Sequence, residues 1–125
     1  MGVRGCRVLV VEDSADVREL FVTLLRLDGA DVVGAASAAE ALAALRSRRF
    51  DVVLTDLGLP DISPDSLIHA IVAETRGTAD IVVITGEGEP TITKALQAGA
   101  SIAFTKPCRW PDVHRYLTTL NTQAA

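Results

Sequence analysis

The chain has 125 residues, of which 49% are hydrophobic and 22% charged, and its formal net charge is −4. These proportions are typical of one globular domain and exclude a disordered chain or a low-complexity fibre. We expect a single domain over residues 1–125 with its core at about residues 6–120. Cys6 and Cys108 lie in apolar surroundings without metal-ligand spacing, so both are expected to be reduced thiols.

No segment has the length of a membrane span or of a secretory signal. The apolar run after Arg7 ends at Glu12, and the longest charge-free stretch, residues 95–105, has 11 residues, against about 20 for a span. The basic residues are scattered, and the one dense run, residues 46–49, follows a predicted helix whose end favours cations. We therefore expect a cytoplasmic protein that binds neither membranes nor nucleic acids directly.

Short apolar runs along the chain predict five strands. The first, third and fourth runs are continuous and β-branched, which is typical of strands covered on both faces of a parallel sheet. The second and fifth runs are more polar, which suits edge strands. In chain order the predicted strands are Val8–Val11, Asp31–Ala35, Val52–Leu54, Ile81–Ile84 and Ile102–Thr105.

A helical pattern follows each strand. Val17, Leu20, Phe21, Leu24 and Leu25 form the predicted inward stripe of the first helix. This helix ends at the Asp28-Gly29 pair, and a capping box over Ser37–Glu40 opens the second helix. The stripes of the third, fourth and fifth helices are Leu67/Ile68/Ile71/Val72, Ile92/Ala95/Leu96 and Val113/Tyr116/Leu117/Leu120.

The alternating order of these elements predicts a doubly wound (βα)₅ fold with a five-stranded parallel sheet. The fourth helix is expected to end at Gly99 and the fifth near Leu120. Residues 121–125 would then be too few for a further domain. The chain is accordingly either a protein that stands alone or one domain of a larger protein.

Polar side chains stand where four of these strands end. They are Glu12, Asp13, Asp56, Thr85 and Lys106. Each alone could be a helix cap, a turn residue or a solvated side chain, but a parallel sheet brings all five to its ligand-binding edge. Three carboxylates in one pocket repel one another unless a cation is present, and oxygen ligands suit Mg²⁺. Removing those three acids would change the net charge from −4 to −1, so most of the excess negative charge belongs to this site.

The segments around these residues resemble, one after another, the signatures of the response regulator receiver domain. The segments are Val10–Ser14, Asp51–Asp61, Ile84–Gly86, Ala98–Ala100 and Thr105–Pro107. The spacings also fit, with 29 positions from Asp56 to Thr85 and 21 from Thr85 to Lys106. The resemblance covers essentially the whole chain, which is then either a receiver that stands alone or one excised from a hybrid kinase or a DNA-binding regulator. It implies a flavodoxin-like strand order of 2-1-3-4-5 and a place in a bacterial two-component phosphorelay.

The resemblance also implies a role for each site residue. Asp56 would accept a phosphoryl group from a sensor histidine kinase or a histidine phosphotransfer protein. The implied Mg²⁺ ligands are Glu12, Asp13, Asp56 and the backbone carbonyl of Gly58. Lys106 would add a fixed positive charge, and Thr85 would bind a phosphoryl oxygen. Such a domain is a switch rather than an enzyme, apart from catalysing its own phosphorylation and dephosphorylation, and it signals to an effector through its helix 4, strand 5 and helix 5 face.

Three positions depart from the receiver pattern without touching these residues. Pro64 replaces a usual glycine, Ala103 replaces the aromatic residue expected three positions before Lys106, and Cys108 replaces the apolar or aromatic residue usual after the Lys-Pro pair. The nearby Trp110 is expected to anchor the start of the fifth helix or to belong to the output face.

Two other classes of protein remain as alternatives. A small Mg²⁺-dependent phosphohydrolase of the haloacid dehalogenase type also has an aspartate nucleophile at a strand end. Such enzymes carry Asp-x-Asp after the first strand, where this chain has Glu12-Asp13-Ser14. A flavodoxin-like FMN carrier is a weaker alternative, because the first strand is not followed by a loop rich in Ser, Thr and Gly.

Overall fold

The computed structural model describes residues 3–124, with the side chains placed up to residue 120. Five strands alternate with five helices in this range. The strands are β1 (Arg7–Val11), β2 (Asp31–Ala35), β3 (Val52–Thr55), β4 (Asp80–Thr85) and β5 (Ile102–Thr105). The helices are α1 (Ala15–Leu27), α2 (Ala38–Ser47), α3 (Pro64–Thr75), α4 (Thr91–Ala98) and α5 (Trp110–Ala124).

The strands form one parallel sheet in the order β2-β1-β3-β4-β5. This confirms the doubly wound fold, the strand order and the two edge strands. Register places Val11 beside Thr55 and Thr85 beside Thr105. Because neighbouring parallel strands end at matching positions, the residues that leave β1, β3, β4 and β5 come out together at one edge.

The sheet separates two apolar layers. Alternate strand residues such as Leu9, Val53 and Val83 pack with α2, α3 and α4. The residues between them, such as Val10 and Val82, pack with α1 and α5. This division follows from the strand period of two, which sends successive side chains to opposite faces.

The predicted ends of the first and fourth helices and the predicted start of the second are confirmed, with one variation at the second. The Ser37 hydroxyl accepts the N–H of Glu40 at 3.1 Å, as in a capping box. The Glu40 carboxylate, however, accepts the N–H of Ala36 at 2.9 Å, one residue before the cap. The fourth helix ends at Gly99, and Pro64 occupies the first turn of α3, where its missing N–H costs no hydrogen bond.

Two residues of the predicted inward stripes are instead exposed. Leu20 is 57% exposed and Leu96 is 42% exposed. In α1 the residues facing the sheet centre on Val22 and Leu25, so the helix is rotated from the predicted orientation. The short helix α4 buries only Ala95 among its described residues, because it lies over the edge of the sheet and has little core to cover.

The fifth helix is longer than expected. It continues past Leu120 to Ala124, since neither Gly nor Pro occurs in residues 121–124 to end it. At its start, Trp110 packs against Phe21 of α1 with ring centroids 6.0 Å apart, which favours its role as a helix anchor. Both cysteines are free thiols. Among the described residues, no helix has the length and apolar character that crossing a bilayer requires.

Candidate functional site

The predicted site residues come together at the carboxyl edge of the sheet. Glu12 and Asp56 directly follow β1 and β3, and the N–H of Asp56 donates to the carbonyl of Val11 at 3.0 Å. Lys106 directly follows β5, and its N–H donates to the carbonyl of Thr85 at 2.8 Å. Main-chain hydrogen bonds between neighbouring strands therefore fix the positions from which these side chains project.

Three carboxylates form the acidic part of the site. Glu12, Asp13 and Asp56 each offer an oxygen, and these oxygens lie within 4.8 Å of one another. Glu12 is buried, only 12% of the Asp56 side chain is exposed, and Asp13 faces solvent. Hard oxygen donors at such short separations fit Mg²⁺, which binds through one or two carboxylates and keeps waters or phosphate oxygens elsewhere.

Lys106 connects two of the carboxylates. Its Nζ lies 3.0 Å from Oδ2 of Asp56 and 3.2 Å from Oε1 of Glu12. Partial burial lowers the pKa of Lys106, but the hydrogen bonds to the two carboxylates outweigh burial and leave the pKa above its ordinary value. The ammonium group is therefore charged throughout the physiological range and offsets part of the local negative charge.

Burial, which lowers the pKa of Lys106, raises the pKa of Glu12. Removal from water raises the pKa of its carboxyl group, and nearby Asp13 and Asp56 raise it further. The N–H of Ser14, 3.0 Å from Oε2, and the Lys106 ammonium act against this rise without cancelling it. A bound cation would stabilise the charged form of this buried carboxylate, which is consistent with a cation site.

The loop after β3 folds back on Asp56. The N–H of Gly58 donates to Oδ1 of Asp56 at 3.1 Å, and a side chain at Gly58 would begin 3.8 Å from the same oxygen. The loop therefore keeps the main chain of Gly58 beside the carboxylate. The hydroxyl of Thr55 donates to the carbonyl of Asp56 at 2.8 Å and steadies the chain where it leaves the strand.

Thr85 reaches the same edge but has a different partner. It is fully buried, and its hydroxyl accepts the N–H of Glu87 at 3.0 Å. The structure thus brings Glu12, Asp13, Asp56 and Lys106 into one cluster and places Thr85 at the next strand end with its hydroxyl in its own loop. A side chain at Gly86 would meet no atom within 4 Å among the described residues, so this glycine leaves open space above the edge.

Arg18 also supports the site, although it is not among the predicted site residues. Its Nη1 donates to the carbonyl of Glu12 at 2.7 Å from one turn inside α1. Its methylene groups lie over Gly34 of β2, where an added Cβ would approach Arg18 Cδ to 3.3 Å. A glycine opposite this arginine is the one signal in the sequence that could have indicated the contact.

Comparison with known proteins identifies the family of this chain. The family model described as the response regulator receiver domain matches residues 8–118, a range that includes every residue of the cluster. The chain belongs to the response regulator receiver family. The phosphohydrolase and FMN-carrier alternatives are thereby set aside.

Individual relatives agree with the family match. The response regulator receiver protein Anae109_2439 of Anaeromyxobacter sp. (strain Fw109-5) is 31% identical, over 86% of this chain and 45% of its own length. The receiver domain protein (CheY-like) of Methanospirillum hungatei JF-1 superposes with a TM-score of 0.89, at 26% identity, covering 96% of this chain and 97% of that one. A Burkholderia pseudomallei response regulator structure, described as containing a phosphorylated aspartic acid and a calcium ion, has a TM-score of 0.83, with 26% identity and coverage of 95% and 70%.

The receiver spans less than half the length of the first curated relatives that it matches. Those relatives include a transcriptional regulator and, with 12% of its length covered, the sensor histidine kinase AruS of Pseudomonas aeruginosa. Receiver domains are the signalling switches of two-component systems, and members of the family interact with histidine kinases and effector domains. This chain is a receiver domain.

Proposed function

We propose that this receiver is switched by phosphorylation of Asp56. The observation that carries the proposal is the pair of ion pairs from Lys106 Nζ to Asp56 and Glu12 inside the three-carboxylate cluster. A carboxylate oxygen of Asp56 attacks the phosphorus of a phosphohistidine. The P–N bond breaks, its electron pair returns to the imidazole nitrogen, and an acyl phosphate forms.

The chemistry of the donors supports Mg²⁺ as the cofactor. Glu12, Asp13, Asp56 and the backbone carbonyl of Gly58 would hold it. When bound, the ion neutralises charge that builds up on the attacking and transferred oxygens. Lys106 contributes a second, fixed positive charge beside Asp56, and Arg18 holds the main chain of Glu12 in place.

Phosphorylation would replace the single negative charge of the Asp56 carboxylate with about −1.5 to −2 charges on the phosphoryl group. We propose that Thr85 then exchanges its hydrogen bond with Glu87 for one to a phosphoryl oxygen, drawing the loop over residues 86–89 inward. An effector would read this change on the face formed by α4, β5 and α5. The domain therefore acts as a switch, and any catalysis is limited to its own phosphorylation and dephosphorylation.

A sensor histidine kinase or a histidine phosphotransfer protein is the proposed phosphoryl donor, which makes the cytoplasm the proposed location. The sensor kinase AruS among the relatives and the phosphorylated aspartic acid of the Burkholderia relative support this assignment. A single receiver domain over residues 1–125, binding neither nucleic acid nor membrane directly, remains the prediction for domain organisation.

The first test is labelling with acetyl phosphate and Mg²⁺, followed by mass spectrometry of the intact protein. We expect one phosphoryl group per chain in the wild type and none in Asp56→Asn, which keeps the shape but removes the anionic nucleophile. Asp65→Asn, at an exposed position in α3, is the matched control and should label normally.

The same assay tests the metal. Chelating the metal with EDTA should stop labelling, and Asp13→Asn should raise the Mg²⁺ concentration that half-maximal labelling requires. Labelling that persists in Asp56→Asn, or continuous turnover of a generic phosphomonoester, would contradict the proposal.

A further inference from the structure

A cavity of about 470 Å³ lies at the opposite end of the sheet from Asp56. It is formed where α2 and α3 end, beside the residues that lead into β3 and β4. Four arginines line it: Arg46, Arg48, Arg49 and Arg76. Ten of the twelve Lys and Arg residues are arginines, so four of ten meet at one cavity in a chain whose net charge is −4.

Two of these arginines have structural roles. Arg46 Nε lies 3.1 Å from Oε1 of Glu74, and Arg48 Nη2 lies 2.6 Å from Oδ2 of Asp31. The Arg48 guanidinium also stacks over the Phe50 ring at 5.3 Å from its centroid. Cations are expected at the end of α2, where the helix dipole is negative, so these pairs need no ligand to explain them.

The other two arginines have no such structural role. Among residues 3–120, the side chains of Arg49 and Arg76 have no ion pair or hydrogen bond, and both residues are exposed. Arg76 is the C-cap of α3 with a φ of 54°, a left-handed conformation that glycine adopts at much lower cost. With Glu74 and Asp31 each paired to one arginine, the cavity retains two uncompensated positive charges.

We propose that this cavity binds a small anion that carries two or more adjacent phosphate groups. The guanidinium fork matches phosphate oxygens in geometry as well as in charge. The volume lies within the range of small-molecule sites, about 300–1,000 Å³, and buried Leu45 and Phe50 form an apolar floor. The concave shape favours a compact ligand over a flat nucleic-acid or peptide surface. The site lies apart from the acidic cluster and does not depend on it.

The test is isothermal titration calorimetry on the full chain in EDTA, with the acidic site kept free of metal. Pyrophosphate, tripolyphosphate and ATP are the probes. We expect at least one to bind the wild type with a dissociation constant below about 1 mM at about 0.1 M salt. Tighter binding of ATP than of tripolyphosphate would assign a nucleotide, and equal binding would assign the phosphate chain alone.

Matched variants distinguish binding in the cavity from a general effect of removing positive charge. The double variant Arg49→Gln/Arg76→Gly should weaken binding at least tenfold, whereas Arg109→Gln/Arg115→Gln on the far side of the fold removes the same charge and should leave binding unchanged. Glycine adopts the left-handed backbone conformation of residue 76 with less strain than arginine. Arg76→Gly alone should therefore keep or raise the melting temperature while weakening binding. Amide shifts in NMR should map to residues 45–50 and 74–78.

Several results would overturn the proposal. They are the absence of binding by the wild type below about 1 mM, an equal loss in the control variant, and amide shifts that map outside the cavity. Binding of a polyglutamate peptide as tight as that of pyrophosphate would also overturn it, since the site would then recognise acidic chains rather than phosphate groups.

Discussion

Asp28, the C-cap of α1, ties three distant parts of the chain together. Its Oδ2 accepts the N–H of Val3 at 2.9 Å and lies 2.7 Å from Nε2 of His114 in α5. The hydrogen bond with His114 is the main cause of a lowered pKa for Asp28, and the N–H of Val3 adds to it. A carboxyl group whose folded pKa lies below its unfolded value stabilises the fold above the unfolded pKa. That contribution is lost as the pH falls through the folded pKa.

Replacing Asp28 should therefore change how stability depends on pH. In urea unfolding followed from pH 7 to below about pH 4, we expect the wild type to lose stability more steeply than Asp28→Asn. The variant should be the less stable protein at pH 7 and approach the wild type in acid. Asp65→Asn is the control and should follow the wild type. Parallel curves for the wild type and Asp28→Asn would show that the Asp28 contacts are not linked to folding.

Gly99 is required by both its backbone and its surroundings. Its φ is +131°, and an added Cβ would lie 2.7 Å from Cγ2 of Val72 in α3. Gly99→Ala should destabilise the fold by about 1–3 kcal/mol, measured by urea unfolding. Adding Val72→Ala tests the cause, because it removes the clash and leaves only the backbone strain. If the double variant is no better than the sum of the two single variants, contact with Val72 is not the source of the loss.

At the scale of elements, α1 carries two apolar stripes rather than one. The inward stripe centres on Val22 and Leu25, which are buried against the sheet. The outward stripe contains Leu20 and Leu27, which are 57% and 81% exposed. Both stripes have helical spacing, so the leucines alone do not decide which of them faces the core.

The same substitution on each stripe tests this assignment. Leu25→Ala should cost about 2–5 kcal/mol of unfolding free energy, because it leaves a cavity in a packed core. Leu20→Ala should change that free energy by no more than about 0.5 kcal/mol, since the side chain already contacts water. Chemical denaturation of the two variants gives the comparison. Similar losses from both would mean that Leu20 packs against the fold as the sequence pattern first indicated.

The contrast between these stripes shows what the sequence can determine. Buried β-branched runs and their order predict the sheet, and the sheet's topology alone brings Glu12, Asp56 and Lys106 together. Rotation of a helix about its axis depends on packing with other elements, which is why Leu20 was predicted on the wrong face. The contact between Asp28 and His114 joins residues 86 positions apart. No local pattern indicates a pair so distant in the chain. The hydrogen bond from Arg18 to the main-chain carbonyl of Glu12 spans only six positions, and Gly34 is its one trace in the sequence.

At the scale of the whole molecule, β5 connects the candidate site with the proposed output face. Ala103 lies beside Val83 and packs toward the layer containing α4. Phe104 faces the opposite layer, where its ring meets Tyr116 of α5 edge-on at 6.4 Å between centroids. Successive side chains of β5 thus lie on opposite faces of the sheet, and Phe104 is half-buried because β5 is an edge strand. A ring at position 104 therefore cannot take the place of the aromatic residue that receivers usually have at position 103.

This arrangement predicts a muted response to activation. Thr85 can turn inward without displacing a coupled ring, since only a methyl group occupies position 103 on its side of the strand. With beryllofluoride and Mg²⁺ as the phosphoryl mimic, we expect amide shifts in NMR to concentrate at residues 12–13, 56–59 and 85–89, with small changes in α5. Ala103→Tyr supplies the missing ring and should enlarge the changes in α4 and α5, while Asp56→Asn should show none. If the wild type instead shows large changes across β5, α4 and α5, with Phe104 buried only in the activated form, the switch operates through Phe104 and not by loop motion alone.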